Sequence, residues 1–425
     1  MLQLKKSYSF GGKMFERKRV GLRIIAIEIL VILLVAAFLI VFPFNDIKRS
    51  DALSITTFAL NGVTWALLLI NEARKRAFSF SMIQWCFCLL FYFFAAIVQY
   101  TNDFYPWVRY REDGIIVTTN LVLTLWTIGI LAGQQIYRKT AKYTPIYKEK
   151  LESDRVLNCK KYVKVCAVLL LLIAGWRILN VGFVNLWARA TASSGLKSES
   201  SSLGLLFEHG MQATAYFLSI IGIASVKQDR RVWMWSLSCF VLLLISYPPT
   251  GLARYAAAAI YLGILLTFSE KIKNRNWFIL LFLIAFTTIM PFMNAFRNVA
   301  FTDVEIWSAL KNIIENFSTE WLKGDYDAYT MLSLAVEDVQ RNGIAWGRQL
   351  LGVFLFWIPR KWWPSKPVGS GYQIGLNLGW SFKNVSCPLP GEAMMNFGIM
   401  GVVLFSIITG WVMQILDEKY WSSIE

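Results

Sequence analysis

Ten apolar runs, each long enough to cross the roughly 30 Å hydrocarbon core of a bilayer, constrain this chain more than any other feature. They lie at 22–43, 52–71, 78–98, 114–137, 162–180, 204–226, 232–247, 254–268, 277–293 and 393–416. Backbone groups in hydrocarbon have no water to bond, so runs of this length fold as α-helices. The sequence therefore predicts an all-α polytopic membrane protein with ten transmembrane helices.

Basic residues between the runs predict the orientation of the spans. Lys and Arg are concentrated before the first run, after the second, and in the connections 138–161, 227–231 and 271–275. Cytoplasmic loops carry an excess of these residues, so both chain ends are expected in the cytoplasm. We divide the chain into a nine-span bundle at 1–293, a large extracytoplasmic loop at 294–391, and a last span with a cytoplasmic tail at 392–425.

The composition excludes a soluble protein and argues against a nucleic-acid partner. Hydrophobic residues make up 56% of the chain, above the roughly 45–50% of soluble domains. The net charge of +16 comes from short basic clusters between apolar runs and not from a continuous basic domain. We therefore expect membrane lipids, and no nucleic acid, among the partners.

Three segments of the long loop have recognisable local patterns. Residues 303–317 predict an amphipathic helix, and a second helix is expected from Asp325, as its cap, to about Gln340, before Gly343. The apolar stretch 350–358 is too short to cross a bilayer. It is expected to be re-entrant or interfacial.

The segment IPRKWWPSKP, residues 358–367, is the strongest candidate for binding an anionic ligand. Its three prolines restrict the backbone around Arg360, Lys361 and Lys366, and Trp363 suits the lipid headgroup level. This pattern predicts a rigid cationic arch at the outer surface. The alternative is an aromatic belt with snorkelling basic side chains.

Two further arginines lie at the predicted outer ends of neighbouring spans. Arg254 opens the eighth span, and Arg297 follows the ninth. Together with Arg360 they could converge on a diphosphate, whose oxygens suit the planar, bidentate guanidinium. Alternatively, each is a snorkelling arginine.

Candidate acids and one histidine complete the set of polar residues. The acidic candidates are Asp325 and Asp327 in GDYDAY, residues 324–329, and Glu392 in PGEAMMNFG, where the chain enters its last span. A carboxylate at the position of Glu392 could accept a proton from a sugar hydroxyl or pair with an arginine. His209, beside Glu208 in the sixth span, is either functional or a satisfied core histidine.

Known motifs for metals and cofactors are missing from the sequence. The first outer loop, 44–51, has no pair of acids two residues apart that could hold a divalent ion. No phosphate-binding loop, dinucleotide fingerprint or zinc-protease motif is present. We expect no metal and no cofactor.

The long penultimate loop, the proline-rich arch, GDYDAY and PGEAMMNFG together resemble the Wzy-type polymerases of bacterial O-antigen and capsular repeat units. The resemblance covers about residues 247–400. Five residues stand where the pattern of that family has them: Gly391, Glu392, Asn396, Phe397 and Gly398.

The resemblance implies a metal-independent glycosyltransferase of the bacterial inner membrane, with its active site facing the periplasm. Such an enzyme joins undecaprenyl-diphosphate-linked oligosaccharides en bloc, and its expected partners are a flippase and a chain-length regulator. The catalytic candidates are then Arg254, Arg297, Arg360, Glu392 and Asp327. The substrate-binding candidates are Lys361, Lys366, Tyr326, Trp363, Asn396 and His209.

Two other functions remain open at the level of sequence. A flippase for lipid-linked oligosaccharides would bind the same substrate, but it would carry charges through the bundle and usually two related halves. An O-antigen ligase would share the architecture and chemistry. Its usual loop histidine is missing here, because His209 is the only histidine of the chain.

Overall fold

A computed structural model of the chain describes residues 47–76, 78–140, 159–187, 202–227, 229–264, 275–293, 305–315 and 317–422. In these ranges the protein consists of helices joined by turns, with no β-strand, which confirms the all-α prediction. Six helices are long and apolar enough to span a membrane: Ala52–Lys75, Phe80–Thr101, Asp113–Thr140, Lys161–Val181, Arg230–Gly251 and Leu389–Trp421.

The other four predicted spans, and the orientation of all of them, stay predictions. The run 22–43 lies outside the described residues. The other three runs are helical where the structure describes them, over Ser202–Ala224, 254–264 and 275–293. The structure thus supports a multi-pass membrane protein with at least six apolar helices.

We number the described helices in chain order. They are α1 (Ala52–Lys75), α2 (Phe80–Thr101), α3 (Asp113–Thr140), α4 (Cys159–Val181), α5 (Ser202–Ala224), α6 (Trp233–Ser246), α7 (254–264), α8 (275–293), α9 (Ile306–Glu315), α10 (Ala328–Asn342), α11 (Arg348–Phe354), α12 (Ser370–Asn377) and α13 (Leu389–Ser422). Side-chain caps fix the starts of the first two: Asp51 accepts from the Ser54 amide at 2.8 Å, and Ser79 accepts from the Met82 amide at 3.0 Å.

One group of helices, α1, α2, α3, α8, α10 and α13, shares a single apolar core. Its largest enclosed side chains are aromatic: Phe58, Trp65, Trp85, Trp126, Phe278 and Tyr329. The buried Trp65 indole donates to Thr127 Oγ1 at 2.9 Å. Polar groups in this core are therefore paired across helices, as burial in a low-dielectric interior requires.

Helices α3 and α13 are in close backbone contact through small residues. Gly129 of α3 lies against Ser406 of α13, and Gly410 of α13 lies against Ile130 of α3. A Cβ added to Gly133 would lie 2.0 Å from the carbonyl oxygen of Ile407. This is the small-xxx-small packing that lets membrane helices approach closely.

A second group, α4 to α7, packs around its own core. Leu170, Cys239, Leu243 and Tyr247 are buried there, and the Arg177 guanidinium lies 4.6 Å from the Tyr247 ring centroid. An apolar groove of about 1050 Å³ separates the two groups, lined by α5, α6, α7, α8 and one residue of α2. Both groups thus contribute residues to the lining of this apolar groove.

Helix α13 is interrupted at Gly398, whose φ of 62° and ψ of −149° are not helical. The break frees carbonyl groups of the preceding turn, which need other donors. Met395 accepts from the Ala345 amide at 2.9 Å, and Asn396 accepts from the Gly347 amide at 3.0 Å. The first part of α13 is therefore hydrogen-bonded to the loop segment 343–347.

The loop helices follow the sequence predictions in part. Helix α9 lies inside the predicted range 303–317, and Gly343, with a φ of 81°, ends α10 as expected. The assignment of Asp325 as a helix cap is wrong, because this residue lies in the 3₁₀ turn Gly324–Tyr326 and Asp327 precedes α10. The turn displaces the helix start by three residues along the chain.

The apolar stretch predicted to be re-entrant or interfacial contains only the short helix α11. Large apolar side chains of this stretch are exposed: Leu351, Val353, Phe354, Phe356 and Trp357. Seven helical residues rise only about 10 Å, too little to cross a bilayer. The exposed apolar side chains agree with an interfacial position.

Candidate functional site

The connections 47–51 and 102–112 and the loop after α9 meet at one end of the bundle. Arg49 lies 3.1 Å from Asp103 and 3.0 Å from Asp113. The side chain of Gln99, near the end of α2, donates to the carbonyl groups of Trp321 and Tyr326, each at 2.9 Å. The start of the loop is therefore anchored on the ends of α2 and α3.

A buried ion pair holds α10 against this end. Arg111 pairs with Glu337 of α10 and donates to the Ser333 carbonyl at 3.0 Å, and Glu337 also pairs with Arg341. Burial lowers the pKa of Arg111, and the charge of Glu337 opposes this effect. The pair holds one face of α10 against Arg111 and so restricts rotation of the helix about its axis.

Trp107 makes a second link between the connection 102–112 and the loop. Its indole Nε1 donates to Asp327 Oδ2 at 2.7 Å. Its ring covers Gly324 so closely that a Cβ there would lie 2.2 Å from Trp107 Cζ2. Asp327, predicted to be catalytic, is therefore bonded to an indole in this structure.

A polar cavity of about 650 Å³ lies between the end of α10, α11, the arch and α12. Its polar lining includes Asp338, Asn342, Arg348, Gln349, Lys366, Gln373 and Asn377. Among the lining residues there are two cations and one carboxylate. Volumes of this size and mixed linings are typical of small-molecule sites.

The cationic wall belongs to the arch and to the start of α11. Arg348 donates to the Ser365 carbonyl at 3.2 Å, and the Lys366 ammonium donates to the carbonyl groups of Phe356 and Ile358 at 2.7 and 3.0 Å. These bonds tie both cations to the backbone of the arch. They hold positive charge at the edge of the cavity without a neutralising carboxylate on that wall.

The opposite wall is a network of one carboxylate and several amides. Asp338 Oδ1 accepts from Asn342 at 2.8 Å and from Asn377 at 2.6 Å. Gln373 donates to Asn377 Oδ1 at 2.9 Å. Gln349, which follows Arg348 at the start of α11, also lines the cavity. It is buried, with 8% of its surface exposed, and its Oε1 has no hydrogen-bond donor among the described residues.

The structure separates the predicted residues of the arch. Lys366 lines the cavity. Arg360 is exposed and donates to the Lys366 carbonyl at 2.8 Å, while Lys361 and the partly buried Trp363 lie on the arch beyond the lining. Arg360 therefore stabilises the backbone of the arch at Lys366.

Glu392 and Asn396 support the cavity walls from the first part of α13. Ser370, at the start of α12, donates its hydroxyl to Glu392. The fully buried Asn396 donates to the Glu392 carbonyl at 2.9 Å and accepts from the Leu350 amide of α11 at 3.4 Å. Both residues thus contact elements that border the cavity.

The pKa of the Cys387 thiol, just before α13, is shifted by its surroundings. Burial raises its pKa well above the usual range, and the charges of Glu392, Asp327 and Asp338 raise it further. The residue is partly exposed, but its sulfur lies against Gly391, where a Cβ would be 2.6 Å away.

Two of the remaining predicted residues, Tyr326 and His209, do not line the cavity. Tyr326 is buried in the core of the first helix group and donates to the Phe286 carbonyl at 2.8 Å. His209 is exposed on α5, in the second group. Arg254 is the first residue of α7, and Arg297 lies outside the described residues.

Sequence reasoning missed Asp338, Arg348, Gln349 and Asn377. One signal was present, since Asp338 and Asn342 are four residues apart in a predicted helix and lie on the same face. Arg348 and Gln349 follow a glycine-containing turn with no motif around them. Their approach to Asp338 depends on the path of the loop.

The part of the chain that the structure describes contains no group of three His, Cys, Asp or Glu residues that could hold a metal ion. Metal independence stays a prediction. Comparisons of the chain with protein-family models, curated proteins and solved structures found no match. The function is therefore argued from the site itself.

Proposed function

We propose that this protein polymerises undecaprenyl-diphosphate-linked oligosaccharide repeat units at the outer face of the bacterial cytoplasmic membrane, as the Wzy-type enzymes do. The observation that carries the proposal is the polar cavity, which has two cations on one wall and one carboxylate among amides on the other. A lipid-linked repeat unit offers a diphosphate to the first wall and sugar hydroxyls to the second.

The charges that develop during this reaction match the charges of the two cavity walls. A hydroxyl of the acceptor unit attacks the anomeric carbon of the donor chain and forms the new glycosidic bond. The bond from that carbon to the lipid diphosphate breaks, and the hydroxyl proton passes to a carboxylate. Negative charge grows on the leaving diphosphate, so the fixed cations Arg348 and Lys366 lower the barrier. Arg254, Arg297 and Arg360 remain proposed members of this cationic set.

Apolar surfaces near the cavity suit the lipid part of the substrate. Phe354, Trp357 and Trp362 are at least 60% exposed, which supports contact of α11 and the arch with the membrane surface. The groove between the two helix groups is lined almost entirely by apolar side chains. It offers a place for a polyprenyl chain.

The test is chain growth by the purified full-length protein in detergent, supplied with lipid-linked repeat units and resolved by gel or mass spectrometry. We expect a ladder of products that differ by one repeat unit, formed equally in EDTA. Arg348→Ala should slow the ladder by about 10²–10³-fold. Lys311→Ala, which removes a 73% exposed lysine of α9, is the matched control and should keep wild-type activity.

Other products decide between the competing functions. Transfer of one finished chain to a second kind of acceptor, without a ladder, would identify a ligase. Movement of unextended units across vesicle membranes, without any new glycosidic bond, would identify a flippase. Activity that is lost in EDTA and restored by magnesium would refute the role of arginine and lysine as the only cations.

A further inference from the structure

Asp338 is the one carboxylate among the residues that line the polar cavity. Its Oδ1 accepts both hydrogen bonds, from Asn342 and Asn377, and no described donor contacts its Oδ2. A carboxylate oxygen has room for about two acceptor bonds, so Oδ2 is available to a ligand. The acids predicted from the sequence, Asp327 and Glu392, accept from Trp107 and Ser370, and neither of them lines the cavity.

Gln349 supplies an independent observation on the same cavity. It is more than nine-tenths buried and lines the cavity, but its Oε1 has no donor in the part of the chain that the structure describes. Buried acceptors are nearly always paired, so an unpaired one in a cavity wall indicates where a ligand donates. The expected donor is a neutral hydroxyl or amide of a ligand, because an amide oxygen only accepts and the neighbouring cations, Arg348 and Lys366, donate to the arch backbone.

We propose that Asp338, Gln349 and Asn377 form a sugar subsite that binds the hydroxyl groups of one pyranose ring of the repeat unit. Asp338 Oδ2 and Gln349 Oε1 accept from ring hydroxyls, and the amides of Asn377 and Gln373 supply the donors. The carboxylate repels phosphate, so the substrate binds with its sugar toward α10 and its diphosphate toward the arch. The subsite deepens the proposed function and rests on it for the identity of the sugar.

The position of the subsite follows from the ion pair beside it. Glu337 precedes Asp338 on α10 and is held by the buried Arg111. This pairing fixes the rotation of α10 about its axis and therefore the direction in which Asp338 extends. Asp338 is rigidly placed before any ligand arrives, which lowers the entropic cost of binding.

The experiment measures binding to the full-length protein by titration calorimetry with two separate probes. One probe is the oligosaccharide released by mild acid from the producing cell's own lipid-linked repeat units, and the other is inorganic pyrophosphate. Asp338→Asn should weaken oligosaccharide binding by about 10- to 100-fold, because it removes an acceptor with a full charge. Pyrophosphate affinity should stay the same or rise. Arg348→Ala should show the opposite pattern.

Two variants keep the test independent of folding. Gln349→Met retains length and volume without the amide oxygen, does not touch the Asp338 hydrogen bonds, and should also weaken oligosaccharide binding. Glu315→Gln, at an exposed carboxylate of α9, is the matched charge control and should change neither affinity. Retained pyrophosphate affinity shows that a variant is folded.

The results separate this proposal from the polymerase proposal. Unchanged oligosaccharide affinity in both Asp338→Asn and Gln349→Met would overturn the subsite, even if the wild type makes a ladder. Wild-type protein that binds the oligosaccharide through these residues but never extends a chain would refute the polymerase and leave the subsite standing.

Discussion

Removing the Glu337 carboxylate should destabilise the protein far more than removing either charge of an exposed ion pair. Glu337 sits between two arginines with very different surroundings. The Arg111 side chain is only 5% exposed, while the Arg341 side chain is 66% exposed. The same carboxylate therefore makes one buried and one solvent-screened ion pair.

The expected magnitude follows from this difference in burial. Glu337→Ala leaves the Arg111 guanidinium buried, with the Ser333 carbonyl as its one remaining described acceptor. An uncompensated buried charge of this kind costs about 3–5 kcal/mol. Arg341→Ala removes only the exposed partner and should cost about 0–1 kcal/mol.

The double variant Arg111→Met with Glu337→Leu provides a second test. It removes both buried charges and fills their space with apolar atoms, so its stability should return to within about 1–2 kcal/mol of the wild type. Burial lowers the pKa of Arg111 despite its partner, which indicates that desolvation is the larger effect at this site. The double variant relieves that desolvation.

The assay is equilibrium unfolding of the purified protein in mixed detergent and SDS micelles, followed by tryptophan fluorescence. Lys311→Ala serves as the exposed-pair control. Equal losses of unfolding free energy in Glu337→Ala and Arg341→Ala would show that the Arg111–Glu337 ion pair is solvated. That result would refute the burial argument. A double variant less stable than Glu337→Ala alone would refute it as well.

Three further predictions concern the helix contact, the helix break and the arch. Gly133→Val should destabilise the α3–α13 contact by at least about 1–3 kcal/mol, because its Cβ would meet the Ile407 carbonyl, whereas Gly114→Ala, in open space on the same helix, should cost nothing in the same unfolding assay. Gly398→Ala should cost about 1–3 kcal/mol, since its backbone angles are accessible almost only to glycine, and a wild-type unfolding curve would contradict the break. Arg360→Ala should abolish chain growth and Arg360→Lys should reduce it less, because lysine keeps the charge but not the planar fork; wild-type glycan length in cells expressing the alanine variant would remove Arg360 from the site.

The features that the sequence predicted are those set by local physics. A helix of about 20 apolar residues is long enough to cross the hydrocarbon core of a bilayer. Six of the predicted runs are long apolar helices in the structure. The amphipathic pattern of 303–317 required only a helical period, and Gly343 ended α10 because it adopts a positive φ. Each of these signals is contained in a few neighbouring residues.

The site depends on contacts that no local pattern reveals. Arg111 lies in a short predicted outer loop, and its acceptor Ser333 is 222 residues away. Asp338 and Asn377 come from separate helices whose positions follow from that contact and from the arch. Gly129 and Gly133, two glycines four residues apart in an apolar run, do predict close helix packing. They do not indicate that α13 is the partner helix.

The interruption at Gly398 affects how α13 adjusts to membranes of different thickness. A spanning helix adjusts to a thinner bilayer by tilting, and a continuous α13 would turn Glu392 and Asn396 with it. Here the carbonyl groups of Met395 and Asn396, before the break, accept from the segment 343–347. We therefore expect the part of α13 after the glycine to tilt while the cavity walls stay in place, so that the geometry of the cavity is insensitive to acyl-chain length. Activity in vesicles of short and long phosphatidylcholines should be equal for the wild type and diverge for Gly398→Ala.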